Sequence, residues 1–338
     1  MLVAALAVGA VALTGSGPAR AGATVDAIKS RGVVTCGVNT GVAGFSIPDA
    51  KGAWSGLDID LCRGFAAALF GDATKTKFVP MTAQQRFTAL QSGEIDVLVR
   101  NTTITLVRDA SLGLLYAGIN FYDGQGFMVK KDLNVKSLKE VNGATICAAQ
   151  GTTHELNMAD YFRANKLTYK PVVIENQDQM YEAYFAGRCD AMTQDSSALA
   201  AVLASKPQIA GAYMILPERI SKEPLGPMVR QDDLQWFGIV KWTLAAMVQG
   251  EESGITQANA DEMLKSEDPG IKRLLGVTEG NGKSLGIDEK WAYNVIKQVG
   301  NYGESFERNV GKASTLKLER GINDLWTRGG LMYALPLR

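Results

Sequence analysis

The chain has 338 residues, 46% hydrophobic and 21% charged, with 35 basic against 35 acidic side chains and a single histidine. This is the composition of a folded protein, and its zero formal charge offers no basic footprint for nucleic acid. The length exceeds what one hydrophobic core usually organises, which predicts two compact lobes; the lone His154 excludes a histidine-rich metal site, and no metal or cofactor is expected.

Residues 2–13 form an unbroken apolar run, followed by Thr14-Gly15-Ser16-Gly17-Pro18 and Ala19-Arg20-Ala21. A dozen apolar residues ahead of a small-x-small site read as a secretory signal, residues 1–21, cleaved after Ala21 and too short to span a bilayer. No Lys or Arg precedes the run. Cys36, Cys62, Cys147 and Cys189 contain no CxxC motif, and in an exported chain an even count predicts two disulfides. Three pairings are open; Cys36 with Cys62 and Cys147 with Cys189 is favoured because each pair falls within one predicted lobe.

The β-branched segment 33–38 reads as a strand running into Asn39-Thr40-Gly41. Gly56-Leu57-Asp58-Ile59-Asp60 opens a helix with Leu61, Phe65, Ala68 and Leu69 on one face, stopped by Gly71; Asp58 and Asp60 suit the positive end of its dipole. Phe78-Val79 reads as a strand, 83–91 as a helix with Phe87 and Leu90 inward, and 95–99 as a third strand. This β-α-β-α-β order predicts an α/β fold with a mostly parallel, doubly wound sheet. The same order recurs as strand 144–149, turn Gly151-Thr152-Thr153, helix 155–165, strand 172–174 and helix 179–185. Gly93-Glu94-Ile95-Asp96-Val97-Leu98 and Gly187-Arg188-Cys189-Asp190-Ala191-Met192 echo each other as a helix-ending glycine followed by a strand with Asp in its second half, so the two lobes should be alike. Phe127-Met128-Val129 and the Pro/Gly-rich 222–227 read as two crossings. They predict lobe 1 at 22–127 and 225–338, lobe 2 at 128–224, and a two-stranded hinge between them. Helix 236–247 and a helical tail from Asn294 return to lobe 1.

The polar run 100–109 follows the third strand of lobe 1, where open parallel sheets bind ligands. There Arg108 offers a planar fork for a carboxylate, with Asn101 and Thr103 beside it. The equivalent strand end in lobe 2 carries Asp195. The turn bearing Thr152 and Thr153 precedes a helix whose free N–H groups favour an anion. A carboxylate and an ammonium a few ångström apart would satisfy this set, and that is the common core of an α-amino acid. His154 adjoins the turn without a recognisable nucleophile and reads as a bystander. Asn39-Thr40-Gly41-Val42-Ala43-Gly44 lacks the dinucleotide-binding spacing.

Gly56-Leu57-Asp58-Ile59-Asp60-Leu61, the 100–109 run, Gln150-Gly151-Thr152-Thr153 and Gln194-Asp195 resemble the polar amino-acid (family 3) periplasmic solute-binding proteins of ABC transporters. Tyr122-Asp123-Gly124-Gln125-Gly126-Phe127, the segments 220–227 and 291–304, and Leu325-Trp326-Thr327-Arg328-Gly329-Gly330 are similar to the general L-amino-acid-binding branch. The resemblance implies a two-lobe clamshell in the periplasm, monomeric, that closes on a free L-amino acid and delivers it to a membrane permease with its ATPase. By family pattern Arg108 pairs with the α-carboxylate, Thr103 and Thr153 add donors, and Asp195 receives the α-ammonium. Val42 and Ala83 stand where many relatives carry aromatic residues, implying a roomy, broadly specific pocket. Ile104 and Val107 depart from the family pattern. The same scaffold also carries dehydratase-like periplasmic enzymes and amino-acid-sensing modules, which stand as alternatives.

Overall fold

The computed structural model describes residues 22–338, so the predicted signal at 1–21 lies outside the described residues. Two five-stranded sheets are built to one plan. In the first, Val34–Asn39 is flanked in parallel by Thr76–Met81 and Val97–Leu98, and Met228–Arg230 then adds antiparallel to Val97–Leu98 and to Leu114–Tyr116. In the second, Thr145–Ala149 is flanked in parallel by Lys170–Ile174 and Ala191–Asp195, and Gln125–Lys130 adds antiparallel to Ala191–Asp195 and Tyr213–Ile215. Each sheet therefore has three parallel strands extended by two antiparallel pairings. The antiparallel strand beside the parallel set is the one that follows a passage between the sheets. Phe121–Asp123 and Glu223–Leu225 pair with each other as a separate two-stranded ribbon at those passages. Gln125–Lys130 lies wholly in the second sheet.

The echo between 93–98 and 187–192 has a physical basis. Gly93 and Gly187 end their helices at φ 80° and 82°. The Asp96 carboxylate accepts from Thr35 N at 2.7 Å while Asp96 N donates to Thr35 O at 2.8 Å. Asp190 makes the same reciprocal pair with Thr145, both at 2.8 Å. Each Asp precedes its strand rather than lying in its second half. There it replaces one rung of the ladder and sets the register of the central strand.

The helix Leu57–Phe70 is buried along almost its whole length. It packs between Leu234–Glu252, Trp291–Val299 and the strand Val34–Asn39, and the Cys36–Cys62 disulfide joins that strand to it. Cys147–Cys189 joins Thr145–Ala149 to the segment entering Ala191–Asp195. Both disulfides follow the favoured pairing.

Asp58 and Asp60 lie in the first turn of the helix Leu57–Phe70, as expected, but buried rather than at its surface. The helix has Gly56 as its N-cap with no side-chain cap, and both carboxylates are buried. Asp60 accepts from Ser305 Oγ (2.7 Å), Arg308 Nη2 (2.6 Å) and Asn309 Nδ2 (2.6 Å), fastening the tail to the first lobe. Asp58 accepts from Asn101 N (3.2 Å) and Asn120 Nδ2 (2.9 Å). Burial pushes its acid up to about 6 despite those two donors.

Two predicted helices differ. The one expected at 83–91 runs Arg86–Ser92, because Thr82 and Gln85 bond each other's backbone N–H and hold 82–85 as a turn. The tail forms Trp291–Val299 and Tyr302–Asn309, the latter opened by an Asn301/Glu304 capping box, and has no α-helix beyond Asn309. From there two 3₁₀ turns are tied down by Arg320 and Arg328, both paired with Glu251. Gly330 lies so close to the chain that a Cβ would meet Asp324 O at 1.8 Å, so only glycine fits this close backbone approach.

Candidate ligand-binding site

The carboxyl ends of the two parallel strand sets face each other. Asn39, Val42, Arg86, Arg100, Asn101 and Thr103 enclose the small central cavity from the first side. Thr152, Thr153, His154, Gln177, Gln194 and Asp195 enclose it from the second. The free space between them is about 20 Å³, on the scale of one water, because the arginines, His154 and the two glutamines fill the centre. A roomy inner pocket was expected from Val42 and Ala83, but the wider space of about 210 Å³ lies at the mouth. Val42 and Ala198 border both cavities. Ala83 is buried and lines neither.

The two sides touch. Arg86 Nη2 donates to Gly151 O at 3.2 Å, and a Cβ on Gly151 would meet Gln84 Oε1 at 2.6 Å. Gly151 also sits at φ 74°, a left-handed conformation that favours glycine there. Its N–H donates to Glu155 Oε1 at 2.9 Å, and the helix Thr153–Ala164 begins just after it. Thr152 Oγ1 donates back to Ala149 O at 2.7 Å, which closes the turn and turns the helix N-terminus towards the cavity.

Three arginines gather on the first side. Arg108, expected at the ligand's carboxylate, is half-buried, is not among the residues lining either cavity, and donates to Thr103 O at 2.9 Å; Tyr116 OH donates to the same oxygen at 2.5 Å. Arg86 and Arg100 are buried. The guanidinium carbons of Arg86 and Arg108 lie 4.7 and 5.2 Å from the Phe87 ring centre, so Phe87, half-buried against the core around Leu90 and Ile95, also supports two arginines. Arg100 Nε donates to Met81 O at 2.9 Å. Among the described residues none of the three forms an ion pair with a carboxylate. Burial, with the repulsion of Arg108 and Arg100, holds Arg86 well below the usual guanidinium range; burial lowers Arg100 to about 10.

On the second side Asp195 is buried and its Oδ1 lies 3.0 Å from His154 Nε2. His154 is thus part of the site rather than a bystander. Among the described residues its Nδ1 has no partner, nor have the two amide atoms of Asn101, Gln194 Nε2 or Arg86 Nε. Unused buried polar atoms converging on one space are the signature of a polar ligand's place. Behind Asp195, burial and the Asp195 charge push Asp123 up to about 7, with Ser197 donating to it.

Thr103 and Thr153 differ from expectation in what their hydroxyls do. Both donate to one buried carboxylate, Glu223 of the ribbon. A hydroxyl has one proton, so in this arrangement each presents only a lone pair elsewhere. Of the expected set, Asn101, Thr103, Thr152, Thr153, Asp195 and Val42 come together. Arg86, Arg100 and Glu223 were not foreseen. Arg86 stood on the apolar face between Ala83 and Leu90, a placement that signals a buried charge; Glu223 carried no local signal.

A model of the bacterial extracellular solute-binding proteins, family 3, matches residues 34–259. The chain belongs to that family. It is 54% identical to the general L-amino acid-binding periplasmic protein AapJ of Rhizobium johnstonii over 98% of both chains. It is 50% identical to the glutamate/glutamine/aspartate/asparagine-binding protein BztA of Rhodobacter capsulatus over 95% of both. A solved periplasmic binding protein from Brucella ovis, with glutathione bound, superposes with a TM-score of 0.91 at 54% identity, covering 93% of this chain and 99% of that one. This family 3 chain has the α/β two-lobe clamshell fold of periplasmic binding proteins, with a mixed sheet in each lobe. Its relatives are solute-binding proteins, and the family 3 chain is one as well, not an enzyme.

Proposed function

We propose that the protein is the extracytoplasmic substrate-binding component of an ABC importer, a monomer in the periplasm that closes on one free L-amino acid and presents it to a membrane permease and its ATPase. The observation that carries this reading is the charge layout of the cavity: Arg86 and Arg100, without carboxylate partners among the described residues, line it across from Asp195, and Arg108 shares the Phe87 ring with Arg86. Arg108 receives the α-carboxylate, Asp195 the α-ammonium, and free N–H groups at Thr152 and Thr153 complete the carboxylate's cage. In the same reading the lobes exchange chain through the ribbon, so the first crossing lies between Asp123 and Gln125. No nucleic acid is a partner.

The remaining cations, Arg86 and Arg100, favour a ligand with a second carboxylate. L-Glutamate is therefore expected to bind about 10-fold more tightly than its near-isostere L-glutamine, a difference of about 1.4 kcal/mol. In Arg86→Gln that ratio should collapse towards one. Isothermal titration of both ligands against both proteins checks this; an equal preference in the wild type would sink the assignment of Arg86 and Arg100. A second reading, a γ-glutamyl peptide with the same amino-acid head, is favoured by the glutathione bound in the Brucella protein and by the mouth cavity adjoining the site. In it, the peptide tail would leave past Val42 and Ala198.

A further inference from the structure

Glu223 is 1% exposed and has no cation beside it among the described residues. Its carboxylate is satisfied by four neutral donors. Oε2 accepts from Thr103 Oγ1 and from Thr153 Oγ1 at 2.9 Å. Oε1 accepts from Asn157 Nδ2 at 2.7 Å and from Ser221 Oγ at 2.6 Å. Thr103 follows the first sheet and pairs with Leu225 of the ribbon, whereas Thr153 and Asn157 lie on the first helix turns of the second lobe. Ser221 adjoins the ribbon itself. One oxygen thus joins the two walls of the ligand cavity from a strand that belongs to the passage between them.

We propose that Glu223 is the positioning residue that sets the closed geometry of the site: it couples Thr103 on one lobe to Thr153 on the other, and opening must surrender one of those bonds. A buried carboxylate is stable only while its donors stay in place, so the cost of losing one favours the closed arrangement. The bonds also orient the threonines. With their protons given to Glu223, both hydroxyls offer lone pairs to a ligand's ammonium, leaving the α-carboxylate to Arg108 and backbone N–H groups. This role in ligand capture rests on the amino-acid reading above; the closure itself does not.

Glu223→Gln tests it, because the amide keeps one acceptor oxygen and replaces the other with an NH₂ that cannot serve its two donors. Thr153→Val removes one hydroxyl and leaves Glu223 intact, and it decides the matter if the first variant does not fold. Small-angle scattering of the ligand-free proteins should show a larger radius of gyration for the folded variants than for the wild type. Stopped-flow measurement with L-glutamate should show dissociation about 10-fold faster in Glu223→Gln. Ligand-free scattering curves of the folded variants that superpose on the wild type would overturn the proposal. Failure of the wild type to bind any amino acid would remove the amino-acid reading instead, and the ligand-free curves would still decide this one.

Discussion

Asp195→Ala is expected to lose about 2–5 kcal/mol of affinity for L-glutamate, as measured by calorimetric titration, because truncation leaves the ligand's ammonium buried without its counter-charge. The effect should fall on binding more than on folding. In the free protein His154 is the only potential cation at bonding distance from Asp195 among the described residues, and the Asp195 charge works against the buried Asp123. Removing it relieves that repulsion, so the ligand-free variant should melt close to the wild type. A variant that bound with wild-type affinity would show that the ammonium sits elsewhere. A variant that lost affinity only in proportion to a large loss of melting temperature would assign Asp195 a structural role.

The double substitution Cys147→Ser with Cys189→Ser is expected to cost about 4 kcal/mol of stability, the chain-entropy value for a loop of this length. The two cysteines are 42 residues apart in sequence, and the span between them holds the site turn, the helix Thr153–Ala164 and the strand Lys170–Ile174. Guanidinium unfolding monitored by circular dichroism should show an earlier midpoint, with a slope equal to or steeper than the wild type's because the uncrosslinked unfolded chain exposes more surface, and dithiothreitol should shift the wild-type midpoint in the same direction. An unchanged midpoint would mean that the bridge constrains nothing the packing of Met128, Met180, Tyr184 and Met192 does not already hold.

Much of this architecture is written in local sequence. Short β-branched runs, helix-ending glycines and the alternation of strand with helix identify both parallel strand sets. The strand-end position of the 100–109 run and of Asp195 locates the cavity. What escapes local reading is side-chain chemistry whose partners arrive from far along the chain. Asp58 and Asp60 look like helix-start charges, yet Asp60 is a buried anchor for residues 305, 308 and 309. His154 has no informative neighbour in sequence and finds Asp195 in space. Glu223 sits in a Pro/Gly-rich crossover that reads as linker, and its donors come from positions 103, 153, 157 and 221. The small cavity has the same origin: Val42 is small, but Arg86, Arg100, Gln177 and Gln194 arrive beside it from other elements, and Ala83 does not reach the cavity.

A thermal-shift panel of the twenty L-amino acids on the mature protein decides whether the cleft takes a free L-amino acid. A ligand present at about 100 times its Kd should stabilise the protein by about 2.7 kcal/mol, with acidic amino acids giving the largest rise in melting temperature. A panel in which no L-amino acid raised the melting temperature would contradict the account.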